Sequence, residues 1–231
     1  MRKFLVKIAS ALGIYKFIVK KANKYIEKKE AKAIKERGID VLVKVDAMMR
    51  ECNIKVFFCF GLLLGAYREK GFIPYDFDID LGMLASERPD NIIDIFKENG
   101  FTFLKQSYIK SNGRITIDQF KYHGVPIDIY YYYDFDEQRI ACSPPRKHEF
   151  KDWRTANETD GFPTFIFPVE RTEFEEVEFL GHKFYMAAKA ESWLRDIYGD
   201  DFMTPVKNWT EKTRKTCIIA SPERQYRRLD L

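Results

Sequence analysis

Acidic and apolar residues alternate along one short segment of the chain, residues 76–81. The acidic positions are Asp76, Asp78 and Asp80, and the apolar positions are Phe77, Ile79 and Leu81. Successive side chains of a β-strand point to opposite faces of its sheet, so this alternation predicts a strand with one buried face and one polar face. We expect the apolar residues to enter the core and the three aspartates to line a cleft.

The same alternation predicts a metal site. Carboxylates at every second position of a strand have α-carbons about 6.5–7 Å apart, and they repel one another unless a cation neutralises them. Hard carboxylate oxygens suit Mg²⁺ or Mn²⁺. Two other interpretations stay open. One is an EF-hand-like calcium loop from Asp76 to Glu87, although Leu81 stands where that loop requires glycine, and the other is an edge strand whose aspartates face water.

A phosphate-binding segment is predicted just before the aspartates. Residues 56–60 are an apolar run typical of a strand, Gly61 ends it, and residues 62–67 can form a short helix. The free N–H groups of a helix N-terminus bind phosphate, and an arginine such as Arg68 can hold phosphate oxygens through two parallel hydrogen bonds. The alternatives are close packing for the glycines and an ion pair with a neighbouring acid for Arg68.

The basic residues are concentrated near the N-terminus. Residues 1–37 contain twelve basic and three acidic residues, a net charge of +9 in a chain whose total is +4. Apolar residues recur every three or four positions from Phe4 to Ile26, which predicts an amphipathic helix. Three interpretations stay open: binding of residues 1–30 to an anionic membrane surface, packing on the chain's own domain, and contact with nucleic acid, which we do not expect.

The rest of the sequence alternates between helical and strand-like segments. Helices are predicted over residues 34–52, with Gly38 as a break, 88–99 and 189–198. Strands are predicted over residues 101–104, 114–122, 125–133, 174–179 and 182–186, with hairpin turns at His123-Gly124 and Gly181. Residues 134–165 predict loops, and the tail after Pro205 is basic and poorly patterned. This mixture predicts an α/β or α+β fold, with a mixed sheet flanked by helices.

Composition excludes several classes of protein. With 45% hydrophobic and 32% charged residues among 231, the chain is globular rather than disordered. It has no uninterrupted apolar run of about 18 residues, and lysines interrupt its first apolar runs, so neither a membrane span nor a secretory signal is predicted. Its four cysteines lack the spacing of a zinc site, and we interpret them as reduced thiols of a cytoplasmic protein.

One continuous segment resembles the signature of a known family. Residues 60–83, FGLLLGAYREKGFIPYDFDIDLGM, are similar to the signature of the LicD/fukutin family. Two later segments, GVPIDIYYY at 124–132 and WLRDIYGDDFMTP at 193–205, resemble further motifs of that family in the same order. The resemblance implies a nucleotidyltransferase-like fold. It divides the chain into a basic amphipathic helical leader at 1–37, a catalytic domain at 38–206 and a basic C-terminal tail at 207–231.

The resemblance also implies an activity. This is the metal-dependent transfer of a phospho-alcohol, such as phosphocholine, glycerol phosphate or ribitol phosphate, from a CDP-activated donor. The implied acceptor is a hydroxyl of a cell-surface glycan or glycolipid, such as lipopolysaccharide, teichoic acid or capsule. Apart from the resemblance, the reduced thiols and the basic leader predict a cytoplasmic location, with a peripheral position at the inner face of the cell membrane as an open alternative. Rival hypotheses are transfer of a nucleotide from an NTP and a non-catalytic, membrane-associated scaffold for glycan assembly.

The family motif implies roles for individual residues. Asp78 and Asp80 match its metal-binding pair, Asp76 matches its first acid, and Asp128 matches a third carboxylate that completes the metal site or accepts a proton. Asp78, Asp80 and Asp128 are therefore the candidate catalytic residues, and together with Asp76 they are the candidate ligands of Mg²⁺ or Mn²⁺. The candidate substrate-binding residues are Gly61, Leu62, Gly65, Arg68 and Lys70.

Three positions depart from the family motif. Leu62 replaces the usual threonine and removes a hydroxyl that can hold a donor phosphate. Phe77 replaces the middle aspartate of an acidic triplet, and Tyr75 replaces tryptophan. The change at Phe77 fits the expected inward alternation, so Leu62 is the departure that we expect to matter most for donor binding.

Overall fold

The computed structural model describes residues 15–144, 160–206 and 219–228. Its helices are α1 (Tyr15–Glu51), α2 (Phe60–Leu64), α3 (Ile92–Glu98) and α4 (Ala190–Tyr198), with a π-helical turn at Gly65–Glu69 and a 3-10 turn at Ala85–Glu87. Its strands are β1 (Phe57–Phe58), β2 (Ile79–Leu84), β3 (Thr102–Ile109), β4 (Ile115–Tyr122), β5 (Val125–Phe135), β6 (Gln138–Ser143), β7 (Phe162–Glu170), β8 (Phe174–Phe179), β9 (His182–Ala187) and β10 (Ile219–Arg228).

The strands form one mixed sheet. Their order is β4-β3-β10-β7-β6-β5-β2-β1-β9-β8, and β4 also pairs with β5. That additional pairing closes β4, β3, β10, β7, β6 and β5 into a ring, from which β2, β1, β9 and β8 extend. β2 runs parallel to β5 and β1 runs parallel to β9, whereas the other pairs are antiparallel. The predicted α/β fold, with a mixed sheet flanked by helices, is confirmed.

The first helix is longer than predicted and is not broken at Gly38. The absence of a side chain there lets the Phe72 ring come within 3.0 Å of the position that a Cβ would take. The second half of α1 packs against β5 and β2. Its buried apolar residues are Ile34, Val41, Leu42, Val45, Met48 and Met49. The helix continues across the expected boundary between residues 37 and 38, and residues 1–14 of the expected leader lie outside the described residues.

A cluster of aromatic rings holds β1 in the core. Phe57 stacks on Phe174 with ring centroids 4.0 Å apart, and Tyr132 stacks on Trp193 at 5.3 Å. On the neighbouring strand Gly82 pairs with Phe57, and a Cβ at Gly82 would lie 2.1 Å from the Phe57 ring. Because only glycine leaves room for this ring, Gly82 fixes how closely β1 approaches β2.

Both predicted hairpin turns are confirmed. His123 and Gly124 have φ values of 47° and 88°, and Leu180 and Gly181 have φ values of 50° and 82°. Positive φ at both central residues is typical of the two-residue turn whose twist matches that of the flanking strands. The predicted end of α4 at Gly199 is also confirmed, because this glycine has a φ of 84° that a helix cannot continue.

Two expectations about irregular segments are wrong. β6 and the first residues of β7 lie within residues 134–165, where prolines and polar residues predicted loops. Pro163 and Pro168 are part of β7 and lie opposite Arg224 and Ile140. The strand tolerates both prolines, since each removes only one N–H donor and the neighbouring pairs keep the strands together. The C-terminal tail also contributes structure, since β10 lies between β3 and β7. Residues 145–159 and 207–218 lie outside the described residues.

The described cysteines are free thiols. Cys59 and Cys142 are buried, Cys52 is exposed, and Cys217 lies outside the described residues. Among the residues that the structure describes, none of the helices combines the length and the apolar character needed to cross a bilayer.

Candidate active site

The acidic segment folds as a turn followed by a strand. β2 begins at Ile79, so Asp80 lies on the strand while Asp76 and Asp78 lie in the irregular segment before it. The N–H of Asp76 donates to the carbonyl of Ile73 at 3.0 Å, which closes a turn at this point. The prediction of one continuous strand is therefore wrong for the first half of the segment.

The burial of the apolar residues follows the same division. Ile79 and Leu81, which lie on β2, are buried, so their predicted inward orientation is confirmed. Phe77 precedes the strand and is only half-buried, so the same prediction is wrong for this residue. Its N–H donates to Asp76 Oδ1 at 3.1 Å, which ties the turn to the first carboxylate.

The three aspartates nevertheless converge. Asp76, Asp78 and Asp80 each offer a carboxylate oxygen, and these oxygens lie within 4.8 Å of one another. A cluster of carboxylate oxygens at this separation fits a hard divalent cation, which prefers oxygen ligands. The EF-hand interpretation is wrong, because β2 occupies the positions in which a calcium loop would continue.

Asp128 lies on the strand next to the cluster. It is directly opposite Asp80 in the parallel pair of β2 and β5, and both carboxylates are buried. Paired residues on neighbouring strands are about 4.8 Å apart and share one face of the sheet. Gln119 on β4 donates from Nε2 to Asp128 Oδ2 at 2.6 Å, which fixes the orientation of this carboxylate. Asp128 is thus a neighbour of the three-oxygen cluster and not one of its members.

Gly61 lies against the carboxylates. Its N–H donates to Asp80 Oδ2 at 3.0 Å, so this amide holds a carboxylate in the structure, whereas we expected it to face a phosphate. A Cβ at this position would lie 2.3 Å from Asp76 Oδ2 and 3.1 Å from Asp80 Oδ2. Only glycine therefore allows the two aspartates to approach this part of the backbone.

The residue before Gly61 has an uncommon backbone conformation. Phe60 has a φ of 41°, in the left-handed region that a bulky side chain rarely adopts. Its ring packs on Tyr130 and Phe167, with centroid distances of 4.5 and 5.0 Å. Residues held in this region are enriched at functional sites, where the surrounding packing compensates for the strain. At Phe60, the conformation directs the chain so that the next N–H reaches Asp80.

The other predicted substrate-binding residues have different surroundings. Leu62 is buried in the hydrophobic core. Gly65 is needed for close packing, because a Cβ there would lie 2.6 Å from the carbonyl oxygen of Gly71. Lys70 is exposed, and its amino group lies 5.6 Å from the centre of the Tyr67 ring. The structure does not bring Leu62 or Gly65 to the surface beside the carboxylates.

Arg68 is held by neighbours at the end of the π-helical turn. Its Nε donates to Glu69 Oε1 at 2.8 Å, and its Nη1 donates to the carbonyl of Phe202 at 3.1 Å. Its side chain is only 7% exposed. The alternative interpretation of an ion pair with Glu69 therefore agrees with the structure, and the contact with Phe202 joins this turn to the segment after α4.

The carboxylates impose a negative field on two neighbouring groups, one on a buried residue and one on a partly buried residue. Burial raises the pKa of the Tyr130 hydroxyl well above its ordinary value, and the charges of Asp80, Asp128 and Asp78 raise it further. Burial likewise raises the pKa of the Cys59 thiol well above its ordinary value, with a further increase from Asp80. Both groups therefore stay protonated and neutral beside the acids.

Sequence reasoning missed two polar residues on this face of the sheet. Gln119 was hidden within a strand-like run, because only the register of β4 against β5 places it beside Asp128. Arg227 of β10 lies on the same face as Tyr130, since direct pairing links the two through Ser107 and Ile117. Nothing in the local pattern of the tail could have revealed that its arginine lies on this face of the sheet.

The guanidinium of Arg227 interacts electrostatically with Asp128. Burial lowers the pKa of its guanidinium to about 10, and the charge of Asp128 opposes that decrease. Its guanidinium also lies over the Phe162 ring, 4.6 Å from the ring centre. An arginine from the C-terminal strand therefore lies on the face of the sheet that carries Asp128 and interacts electrostatically with it.

The fold and the site together define a class of protein. A mixed sheet carries a carboxylate cluster at the start of one strand and a further carboxylate on the next, which agrees with the nucleotidyltransferase-like fold that the sequence implied. The family described as LicD/FKTN/FKRP, nucleotidyltransferase domain, matches residues 53–181, which is more than half of the chain. The chain belongs to this family.

Three curated relatives are similar over a longer stretch. All are named ribitol-5-phosphate transferase FKTN and come from Mus musculus, Macaca fascicularis and Homo sapiens. Each is 21% identical to this chain, over 184 residues for the mouse protein and 183 for the other two. The matches cover 79–80% of this chain, and the chain spans 37% of the length of these relatives.

Proposed function

We propose that this chain transfers a phospho-alcohol from a CDP-activated donor to a hydroxyl of a cell-surface glycan, in a reaction that depends on Mg²⁺ or Mn²⁺. Family membership supports transfer of a phosphorus-containing group, and the names of the FKTN relatives favour ribitol phosphate over phosphocholine or glycerol phosphate. The observation that carries the proposal is the convergence of Asp76, Asp78 and Asp80 within 4.8 Å.

The three aspartates would hold the divalent cation. When bound, such an ion neutralises the diphosphate of the donor and stabilises the charge that develops on the departing CMP. Gly61 keeps one of the ligands in place, because its N–H donates to Asp80 Oδ2. Preorganisation of this kind matters for phosphoryl transfer, in which most of the catalysis comes from positioning and charge stabilisation.

Asp128 is the proposed proton acceptor. The acceptor hydroxyl oxygen forms a bond to the phosphorus of the phospho-alcohol, the bond from that phosphorus to the CMP oxygen breaks, and the hydroxyl proton passes to Asp128. A general base has to lie within hydrogen-bond reach of the proton that it removes. Gln119 supports this role by donating to one carboxylate oxygen, Oδ2, and thereby orienting the other.

The test is CMP release from CDP-ribitol, CDP-glycerol and CDP-choline, measured with a glycan acceptor and Mg²⁺ or Mn²⁺. We expect CMP from one of these donors, a large loss of rate in Asp80→Asn, and a wild-type rate in Asp94→Asn, which changes an exposed aspartate on α3. Pyrophosphate release from an NTP would instead support nucleotide transfer. Absence of turnover and of metal-dependent donor binding would support a non-catalytic scaffold and contradict the proposal.

A further inference from the structure

The first half of α1 presents its apolar residues away from the domain. An α-helix turns 100° per residue, so positions three and four apart lie on one side. The domain-facing side of the second half runs through the buried residues Ile34, Val41 and Val45. Continued towards the N-terminus, the same line passes through Glu30, which is buried and pairs with Lys121 at 2.9 Å. It then reaches two half-buried polar residues, Glu27 and Asn23.

Four apolar residues of this part of α1 form a second line, and Phe17, which is also exposed, lies outside it. Ile18, Ala22, Tyr25 and Ile26 follow one another at spacings of one to four residues, and their mean direction differs by about 130° from that of the domain-facing line. All four are exposed, with Ile18 at 50%, Tyr25 at 72% and Ile26 at 45%. An apolar stripe on the solvent side, with polar residues on the domain side, is the reverse of what packing on the domain requires.

Basic residues lie within this stripe and along one edge of it. Lys29 lies within it, and Lys21, Lys28 and Lys32 lie along one edge by the same helical geometry. Glu27 and Glu30 are on the domain-facing side, so Glu36, which pairs with Lys32 at 3.6 Å, is the acid that remains on the outer side of residues 15–37. The outer surface is therefore both apolar and strongly positive.

We propose that this outer face of α1, residues 18–32, binds an anionic lipid surface. The stripe would enter the boundary between headgroups and acyl chains, while the lysines contact lipid phosphates. A second copy of the chain fits less well, because pairing two such faces would bring like charges together. Nucleic acid would leave the apolar stripe without a partner. This inference is independent of the proposed catalytic activity.

Cosedimentation of the full chain with vesicles tests it. We expect sedimentation with vesicles of phosphatidylcholine mixed with phosphatidylglycerol, and none with phosphatidylcholine alone. Binding should decrease as salt is raised, because the charges are exposed. If the chain stays in the supernatant with both vesicle types, or sediments equally with both, the proposal is wrong.

Two double variants on α1 and one control variant elsewhere test whether this face makes the contact. Tyr25→Ser with Ile26→Ser removes apolar area, and Lys21→Glu with Lys28→Glu reverses two charges. The matched control, Lys97→Glu with Lys183→Glu, makes the same change in net charge at exposed positions outside α1. We expect the first two to weaken binding to mixed vesicles about tenfold or more, and the control to bind like the wild type.

Two outcomes would overturn this assignment. The first is a control that loses as much binding as the charge variant on α1, since net charge alone would then explain the attraction. The second is a wild type that is dimeric by light scattering and a serine variant that is monomeric, since a second copy would then cover the stripe. Circular dichroism establishes that each variant retains the helical content of the wild type, so a loss of binding reports the surface and not unfolding.

Discussion

Asp80 on β2 lies directly opposite Asp128 on β5, and both side chains are buried on one face of this parallel pair. Two buried carboxylates on adjacent strands repel each other unless hydrogen bonds and cations compensate. Asp80 accepts a hydrogen bond from the N–H of Gly61, and Asp128 accepts one from the side-chain amide of Gln119. The consequences of this arrangement can be measured.

Replacement of Gly61 by alanine should damage the site while preserving the fold. The new Cβ would lie 2.3 Å from Asp76 Oδ2, so the carboxylate has to move. We expect Mn²⁺ affinity, measured by calorimetry, to fall about tenfold or more, because metal affinity depends on ligand orientation. Gly71→Ala is the matched control, since its Cβ would meet nothing closer than 4.0 Å. Equal loss of affinity in both variants would contradict this role of Gly61.

Replacement of Gln119 by methionine should lower kcat with little change in KM for the donor. The substitution keeps the length of the side chain but removes the donor to Asp128 Oδ2, so the proposed base loses its orientation. Loss of a supporting hydrogen bond of this kind costs about 10–100-fold in activity. Gln138→Met at an exposed position serves as the control. A purely structural role would lower the melting temperature of Gln119→Met and leave kcat unchanged.

Arg227 should contribute to binding of the anionic donor. It lies on the face of the sheet that carries Asp128, and its guanidinium interacts electrostatically with that carboxylate. We expect Arg227→Met to raise KM for a CDP-alcohol about tenfold, in line with the loss of a charge-assisted hydrogen bond, and Arg227→Lys to recover part of it. Arg228, the next residue, points to the opposite face, so Arg228→Met should leave KM unchanged. The assignment fails if both methionine variants show the same KM as the wild type.

Gly82→Ala should destabilise the whole domain. Its Cβ would lie 2.1 Å from the Phe57 ring, which is packed against other aromatic side chains and has little room to move. Overpacking of a core typically costs about 1–3 kcal/mol of unfolding free energy. Denaturant titration would measure this loss, and a variant as stable as the wild type would show that the ring can move.

The cysteines should differ in their reaction with iodoacetamide. Burial raises the pKa of the Cys142 thiol to about 12 and raises that of Cys59 well above its ordinary value, so both stay protonated at mildly alkaline pH. The thiolate is the reactive form, and Cys52 is exposed. Peptide mass spectrometry should find Cys52 labelled in the folded protein and the other two labelled only after unfolding. Rapid labelling of Cys59 in the folded state would contradict its buried position.

The sequence predicted the mixed sheet flanked by helices and three acids on one short segment, but not the local geometry of that segment. The acid motif identified Asp76, Asp78 and Asp80, but alternation alone gave the wrong geometry, because a turn rather than a strand carries the first two. Local hairpins were predictable, since positive φ at a residue pair such as His123-Gly124 is a property of the turn itself.

The parts that could not be predicted depend on long-range pairing. β10 joins the sheet between β3 and β7, and its partners are more than fifty residues away in the sequence. The proximity of Gln119 to Asp128 likewise depends on strand register, which no local pattern encodes. The prolines in β7 wrongly indicated a loop. The strand forms in spite of them, since the residues beside each proline still pair with the neighbouring strands.

Titration of the protein with Mn²⁺, followed by calorimetry, tests the central claim most directly. The account predicts Mn²⁺ binding in the wild type and in Asp94→Asn, and loss of binding in Asp80→Asn. The substitution replaces one of the three converging carboxylates by a neutral amide, which is a weaker ligand for a hard cation. Equal Mn²⁺ binding by the wild type and Asp80→Asn would contradict it.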